Sequence, residues 1–390
     1  DVPTSLGDVA HIRQCIKTGN NDKYLENFDN EPDKPWKPVL TGRDINRYVI
    51  NWPNRYVKYG DWLARNWKNQ DFYEREKIAI RETSDRITAA LDDNERYLLS
   101  TLYSVYFREE HNDKSLKFLL AIINSNLAQF FMYHLVFSTN EGAFTKARTN
   151  HYERLPVVFP PEPDDNIHKV SDLVSDIEST LKRKSNLNLS LLDHLGNYDD
   201  GQSLSEIGLT QPPQGSANSI LQETASEKPN LRVGEASVVR ESPNTVEIRL
   251  TARYKPAEDD DLDESEFETD QWGYTETDPL PALRITDLTE TEADLIAAFV
   301  PVAVDEAGGF AGFRETATKT NSLVDRLRKL TLPRVADVEA GLDGYLETKA
   351  RAEELEAKIE STDELVDEIV YELYGLTDEE IEIVEEAVGE

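Results

Sequence analysis

One cysteine, Cys15, occurs in 390 residues, so no intramolecular disulfide can form and a reduced, cytoplasmic setting is the expectation. No apolar run reaches the roughly 18 residues of a membrane helix, so no membrane partner is expected. The first residues carry no basic-plus-apolar leader, and a chain opening on Asp1 is expected to be a piece of something longer. Positive charge is scarce: 42 Lys+Arg face 76 Asp+Glu, a formal net charge of −34. A zinc site is not expected either, because His11, His111, His134, His151, His168 and His194 show no ligand spacing and have one cysteine for company.

What charge there is lies unevenly. Residues 1–155 hold 22 Lys+Arg and 22 Asp+Glu, which leaves 20 against 54 for residues 156–390. The whole excess of acid is downstream of Leu155. Such self-repulsion keeps a chain soluble and opposes its compact form unless counter-ions abound; acidic excess with few lysines resembles proteins of salt-loving organisms. Against that background the neutral first part is relatively basic. Its cations gather among aromatics in Thr41–Tyr59, TGRDINRYVINWPNRYVKY, with Arg43, Arg47, Arg55 and Lys58 beside Tyr48, Trp52, Tyr56 and Tyr59. The spacing predicts two short strands around a turn at Asn51–Asn54. Interleaved cations and aromatics on a β scaffold can contact phosphates and base edges; a solvated strand pair with inward aromatics fits the same residues.

Further along, Ile78 and Ile80, then Ile87, mark two strands, and Thr101–Phe107 marks a third. Leu116, Leu119, Leu120, Ile123, Leu127, Phe130, Phe131 and His134 recur at helical spacing, predicting one long, mostly buried helix over 115–137 capped by Ser115, with His134 in the core. A basic loop with Lys146, Arg148, Asn150 and Arg154 follows. Val170–Leu192 has helical spacing, and Gly196–Asn230, rich in Ser, Gln, Pro and Gly, reads as a linker. A hairpin turning at Pro243-Asn244 is expected within 231–254, the acidic run Glu258–Asp270 as a solvated loop, and helices at 290–303 and 315–330. Near the end, Ser361–Glu364 and Thr377–Glu380 both match the capping box, and Gly375 suits a C-cap.

Catalytic patterns are not found. Amino-methylation of a flipped base needs Asn or Asp, two prolines and an aromatic in a short loop; Pro160-Pro161 and Pro212-Pro213 do not provide it. Val302–Phe313, with Asp305, Gly308, Gly309 and Gly312, is a weak match to a nucleotide-binding turn. Glu347/Lys349 and Glu356/Lys358 have nuclease-like spacing in a helical segment, where such side chains diverge. Cys15 reads as a small buried residue.

Four segments together, LGDVAHIRQCIKTGNN, LTGRDINRYVINWP, REKIAIRETSDRITAALDDNERYLLSTLYSVYF and SLKFLLAIINSNLAQFFMYHL ending in ERLPV, resemble in order and spacing the TaqI-like C-terminal specificity domain of adenine-specific DNA methyltransferases and type IIG restriction–modification enzymes. LRKLTLP and the last helical segment also resemble the ends of such proteins, haloarchaeal ones above all. The resemblance covers about residues 5–158 and implies an α+β chain. A mixed-sheet target-recognition domain with a long buried helix would fill 1–158, a helix and polar linker 159–230, a small β-containing region 231–288, and acidic helices 289–390. It implies double-stranded DNA as one partner and an N-terminal methyltransferase domain, holding S-adenosylmethionine, as the other. No cofactor is expected in this chain. The DNA contacts expected are Arg43, Arg47, Arg55 and Lys58, then Arg81 and Arg86, then Lys146, Arg148 and Asn150, with Arg43–Asp44 as a possible structural pair. An acidic scaffold or DNA mimic is the alternative; a mimic should spread its acid over the whole molecule.

Overall fold

The computed structural model describes residues 4–111, 115–137, 147–160, 165–224, 228, 230–256, 269–306 and 321–389. The chain divides into two units, 1–187 with 352–390, and 188–351.

The first unit is built on the strands β1 (Ala10–Gln14), β2 (Leu25–Asn27), β3 (Trp36–Leu40), β4 (Arg55–Lys58), β5 (Lys77–Arg81), β6 (Ala89–Asp92), β7 (Tyr97–Leu98) and β8 (Leu102–Phe107). Its helices are α1 (Leu116–Asn124), α2 (Asn126–Met132) and α3 (Asp165–Ser185). One sheet has the order β1-β8-β5-β6, all antiparallel; the other runs β7-β3-β4-β2, with β7 parallel to β3. Alternation fails in β5 and β8 because both faces of this sheet are covered: Ile78, Ile80 and Val105 pack with α1 and α3, while Ala79 and Leu102 pack with Cys15, Tyr73 and Tyr97. Cys15 is a packing residue, its thiol pushed up to about 12 by burial.

The predicted helix over 115–137 is broken. Ser115 caps α1 by accepting from the Phe118 N–H, and Ser125 in extended conformation ends α1 and caps α2, bending the axis by 58°. A serine that can bond backbone donors competes with helix continuation. The bend turns the last residues outward, so His134 is exposed, its ring edge-on to Phe130, and is no core residue. The two strands of Thr41–Tyr59 also do not pair with each other: Val49–Ile50 pairs with Ile45–Asn46, whereas β4 lies between β3 and β2.

In the second unit, β9 (Leu209–Gln211), β10 (Arg232–Ser242), β11 (Thr245–Tyr254), β12 (Thr275–Glu276) and β13 (Leu280–Thr286) form a sheet of order β9-β13-β11-β10, with β12 beside β11. β10 and β11 are the expected hairpin, closing at Ser242 and Thr245. The helix α4 (Glu290–Glu306) packs on β10 and buries Leu295, Ile296 and Val300 against Ile248 and Leu250. The described residues 196–224, expected as a linker, are packed instead: they supply β9, and Leu204, Ile207 and Leu221 enter this core. The Gly308–Gly312 turn, Lys146 and most of the acidic run fall outside the described residues.

A single helix α5 (Val335–Tyr374) follows, counted with the second unit up to Arg351 and with the first from Ala352, and α6 (Asp378–Gly389) ends the chain. Ser361 therefore sits inside a helix and caps nothing; its hydroxyl donates back to the Lys358 carbonyl. Gly375, at φ 68°, does end α5, and Thr377 with Glu380 does cap α6. Lys358 pairs with Asp176 of α3 at 2.7 Å and Glu356 with Lys184, so both are surface charges of packed helices.

Candidate nucleic-acid interface

The stretch Thr41–Tyr59 folds around a buried carboxylate. Asp44 is 4% exposed, and its Oδ2 accepts from the Thr41 N–H at 2.7 Å, the Thr41 hydroxyl at 3.0 Å and Arg55 Nη1 at 2.6 Å. A desolvated carboxylate is tolerated when charge-assisted donors surround it. The partner of Asp44 is thus Arg55, not Arg43. Arg43, beside Asp44 in the one-turn helix Gly42–Asp44, is exposed and has no ion pair or hydrogen bond among the described residues.

Arg81, last in β5, reaches Asn46 Oδ1 at 3.2 Å. Arg43, Arg55 and Arg81, from three separate segments, line one open cleft of about 690 Å³; Asn21, Thr41, Thr83 and Thr101 add hydroxyl and amide groups, and Leu25 and Leu99 an apolar wall. Among the described residues no carboxylate lines it, in a chain that carries −34. Asn21, Thr83 and Thr101 escaped the sequence reading. The turn Thr18–Asn21 and the Thr41-x-x-Asp44 box were the available signals.

Arg47 and Arg86 serve a different purpose. Arg47 grips Asp363 of α5 with both terminal nitrogens, at 2.5 and 3.2 Å, and donates to the Asn124 carbonyl at 2.6 Å. Tyr48, at φ 63°, donates to the same carboxylate at 3.0 Å. Asp367, one turn on, accepts from the Asn126 N–H at 2.8 Å, and Arg86 bonds the Asn126 side chain. Both arginines are therefore internal ties rather than free cations. They lock the bend at Ser125 and the tip of the Ile45–Ile50 turn onto α5. Asp363 and Asp367 could not be matched to these partners from a helical pattern, 316 residues from Arg47 in one case and 241 from Asn126 in the other.

Burial, with Asp363 adding like charge, raises the Asp367 carboxyl from 3.8 to about 7, although the Asn126 N–H, Arg47 and Arg86 pull it down. Below pH 3.8 folded and unfolded chains both hold this proton. Between about 4 and 7 only the folded chain holds it, so this group's stabilisation is lost as pH rises through that window. Asp367→Asn is expected to flatten the corresponding part of the stability profile, read as the difference from wild type in urea midpoints at pH 5 and pH 8.

Of the remaining candidates, Lys58 is exposed at the far end of β4 from Arg55 and on its opposite face. Arg148 and Asn150 are exposed at the start of the helical turn Thr149–Tyr152. Tyr103 donates to the Ala147 carbonyl at 3.0 Å and to Glu82, next to Arg81, at 3.2 Å. That tie holds the beginning of this turn beside the end of β5.

The cleft walls thus combine arginines and hydroxyls, with no carboxylate among the described residues, a lining chemically suited to a polyanion. Residues 37–157 match the family model of the TaqI-like C-terminal specificity domain, which includes every cleft residue except Asn21 and Leu25. The first unit is thus similar to a restriction–modification specificity domain. No curated protein matches the chain in sequence. Among solved structures the chain is similar to the S subunit of a type I restriction–modification system from M. genitalium, at 10% identity over 95% of each chain with a TM-score of 0.41. It is also similar to the HsdS subunit from Thermoanaerobacter tengcongensis, at 10% identity over 95% of each chain with a TM-score of 0.31.

Proposed function

We propose that the first unit reads duplex DNA through the Arg43–Arg55–Arg81 cleft, as the specificity part of a site-specific adenine-N6 DNA methyltransferase of a restriction–modification or phage-defence system. The observation that carries this is the convergence of three arginines on a carboxylate-free cleft inside the segment similar to specificity domains. Transfer of the methyl group from S-adenosylmethionine is assigned to a methyltransferase domain or subunit outside this chain.

Within the cleft the arginines differ in freedom. Arg43 has its whole guanidinium available and is the base reader: its fork pairs two donors with guanine O6 and N7 in the major groove. Arg55, held by Asp44, shapes the wall and offers its remaining N–H groups, and Arg81 shares its charge with Asn46. Arg148 holds phosphates, and such contacts fix register without reading sequence; Lys58, on the other face of β4 from Arg55, does not share the duplex bound in the cleft.

Selection of bound duplexes from a random pool, followed by titration of the enriched site across a salt series, tests this. Arg43→Ala is expected to weaken the enriched site by about 5- to 150-fold and to relax preference at one base pair. Arg148→Ala is expected to weaken all duplexes alike and to lower the salt slope by about 0.9. Arg43→Ala and Arg81→Ala proteins that enrich the same site with unchanged affinity would overturn the assignment.

A further inference from the structure

The second unit carries cations where its composition offers few. Three of them surround one ring: Arg232 stacks at 3.8 Å from the centre of Tyr274, with Lys255 at 4.9 Å and Arg253 at 5.3 Å. Lys228, 4.3 Å from the ring of the core residue Tyr254, belongs to the other face of β11, because neighbouring side chains of a strand alternate. Of the three cations around Tyr274 only Arg253 has a carboxylate partner among the described residues, Asp270; Arg232 and Lys255 have none.

Beside this group a tight turn presents Trp272, 64% exposed, outward. The turn is stiff. Asp270 Oδ1 accepts from the N–H groups of Trp272 at 2.8 Å and Tyr274 at 2.9 Å, its backbone N–H donates to the Tyr274 carbonyl, and Gly273 takes φ 75°. Those bonds to the backbone hold the Asp270 carboxyl below the usual carboxylate range, so the turn stays tied at any ordinary pH. With the backbone beneath it fixed, only the tryptophan side chain itself has to be ordered when something stacks on it.

A stacking platform flanked by cations is the arrangement that holds an unpaired nucleic-acid strand, since every base offers a face and every link a phosphate. We infer that the surface formed by Trp272, Tyr274, Arg232 and Lys255 binds single-stranded nucleic acid, a base on Trp272 and phosphates on Lys255 and Arg232. A duplex keeps its bases stacked and cannot use the tryptophan. The inference rests on the second unit alone and is independent of duplex reading in the first. The acidic run that follows Lys255 in the chain sets a like-charge background, which added salt screens.

The test is fluorescence anisotropy of a labelled oligo-dT strand titrated with the full chain at several salt concentrations. Wild type is expected to bind it. Trp272→Ala is expected to weaken binding about tenfold, with Trp272→Phe recovering most of the loss. Lys255→Gln is expected to lower the salt slope by about 0.7. Trp272 and Lys255 lie at the surface, so unfolding is not the expected outcome, and circular dichroism checks it. Arg43→Ala is expected to leave strand binding unchanged, which separates this site from the duplex cleft. No binding of the strand by wild type, or equal binding by Trp272→Ala, overturns the inference and leaves the exposed tryptophan to a protein partner.

Discussion

Asp92→Ala is expected to destabilise the first unit by about 3–5 kcal/mol. Lys77 and Asp92 are both 0% exposed and pair at 2.7 Å across β5 and β6. Lys77 Nζ also donates to the carbonyls of Tyr73 at 2.8 Å and Arg75 at 3.0 Å. Asp92 further accepts from Arg96, through Nη1 at 2.9 Å and the backbone N–H at 2.8 Å. Burial alone lowers the Lys77 pKa, and Asp92 is the main charge opposing that. Alanine at 92 leaves an ammonium in the core with carbonyl partners only and two orphaned donors on Arg96. Domains of this size are stable by roughly 5–15 kcal/mol, so at least about a fifth of the total is at stake. The urea midpoint of the first unit should fall accordingly. Because β5 ends on Arg81, duplex binding should fail together with folding and not before it. A midpoint within experimental scatter of wild type would show that the buried pair contributes no net stability.

The second large effect is expected from Asp363→Ala, about 3 kcal/mol, because Arg47 and Tyr48 both lose their acceptor in a largely buried place. Arg47 keeps a carbonyl and a ring contact with Tyr48 at 5.2 Å, neither of which neutralises it. Replacing both ends, Arg47→Met with Asp363→Leu, should restore most of the loss, since a buried pair is often matched by packed apolar side chains. The cycle of single and double variants, followed by thermal unfolding, measures the coupling. The consequence for function is specific. Asn46, the partner of Arg81, lies within the Ile45–Ile50 turn, so the Asp363→Ala protein at a temperature where it remains folded should bind the enriched duplex more weakly while the salt slope is kept. Truncation before Ala352 should be worse than either variant, because Val366, Ile369 and Val370 are buried among the side chains of α1 and α3.

These two expectations mark where pattern reading stops. Strands at 77–81 and 102–107, the hairpin at 242–245, the C-cap at Gly375 and the box at Thr377–Glu380 follow from local rules, since alternation, turn residues and capping act over a few residues. The α+β class was legible for the same reason. So was the concentration of useful cations in the first 155 residues, because charge segregation is a property of composition. The break at Ser125 was not legible: a serine flanked by apolar residues at helical spacing fits a continuous helix, and only the packing of α1 and α2 separately makes the bend the better solution.

The arginines show the same division. The sequence offered Arg43, Arg47, Arg55, Arg81 and Arg86 alike as DNA contacts. Their division into one exposed arginine without a partner among the described residues, two tethered wall residues and two internal ties was not legible. It depends on which carboxylate each meets, Asp44 in the same stretch for Arg55 and Asp363 some 316 residues away for Arg47. An arginine is equally at home in a buried ion pair and on a phosphate, so its type fixes its chemistry and leaves its partner open. Partner choice is a long-range matter, settled by the packing of α5 against the sheet rather than by anything near Arg47 in the chain.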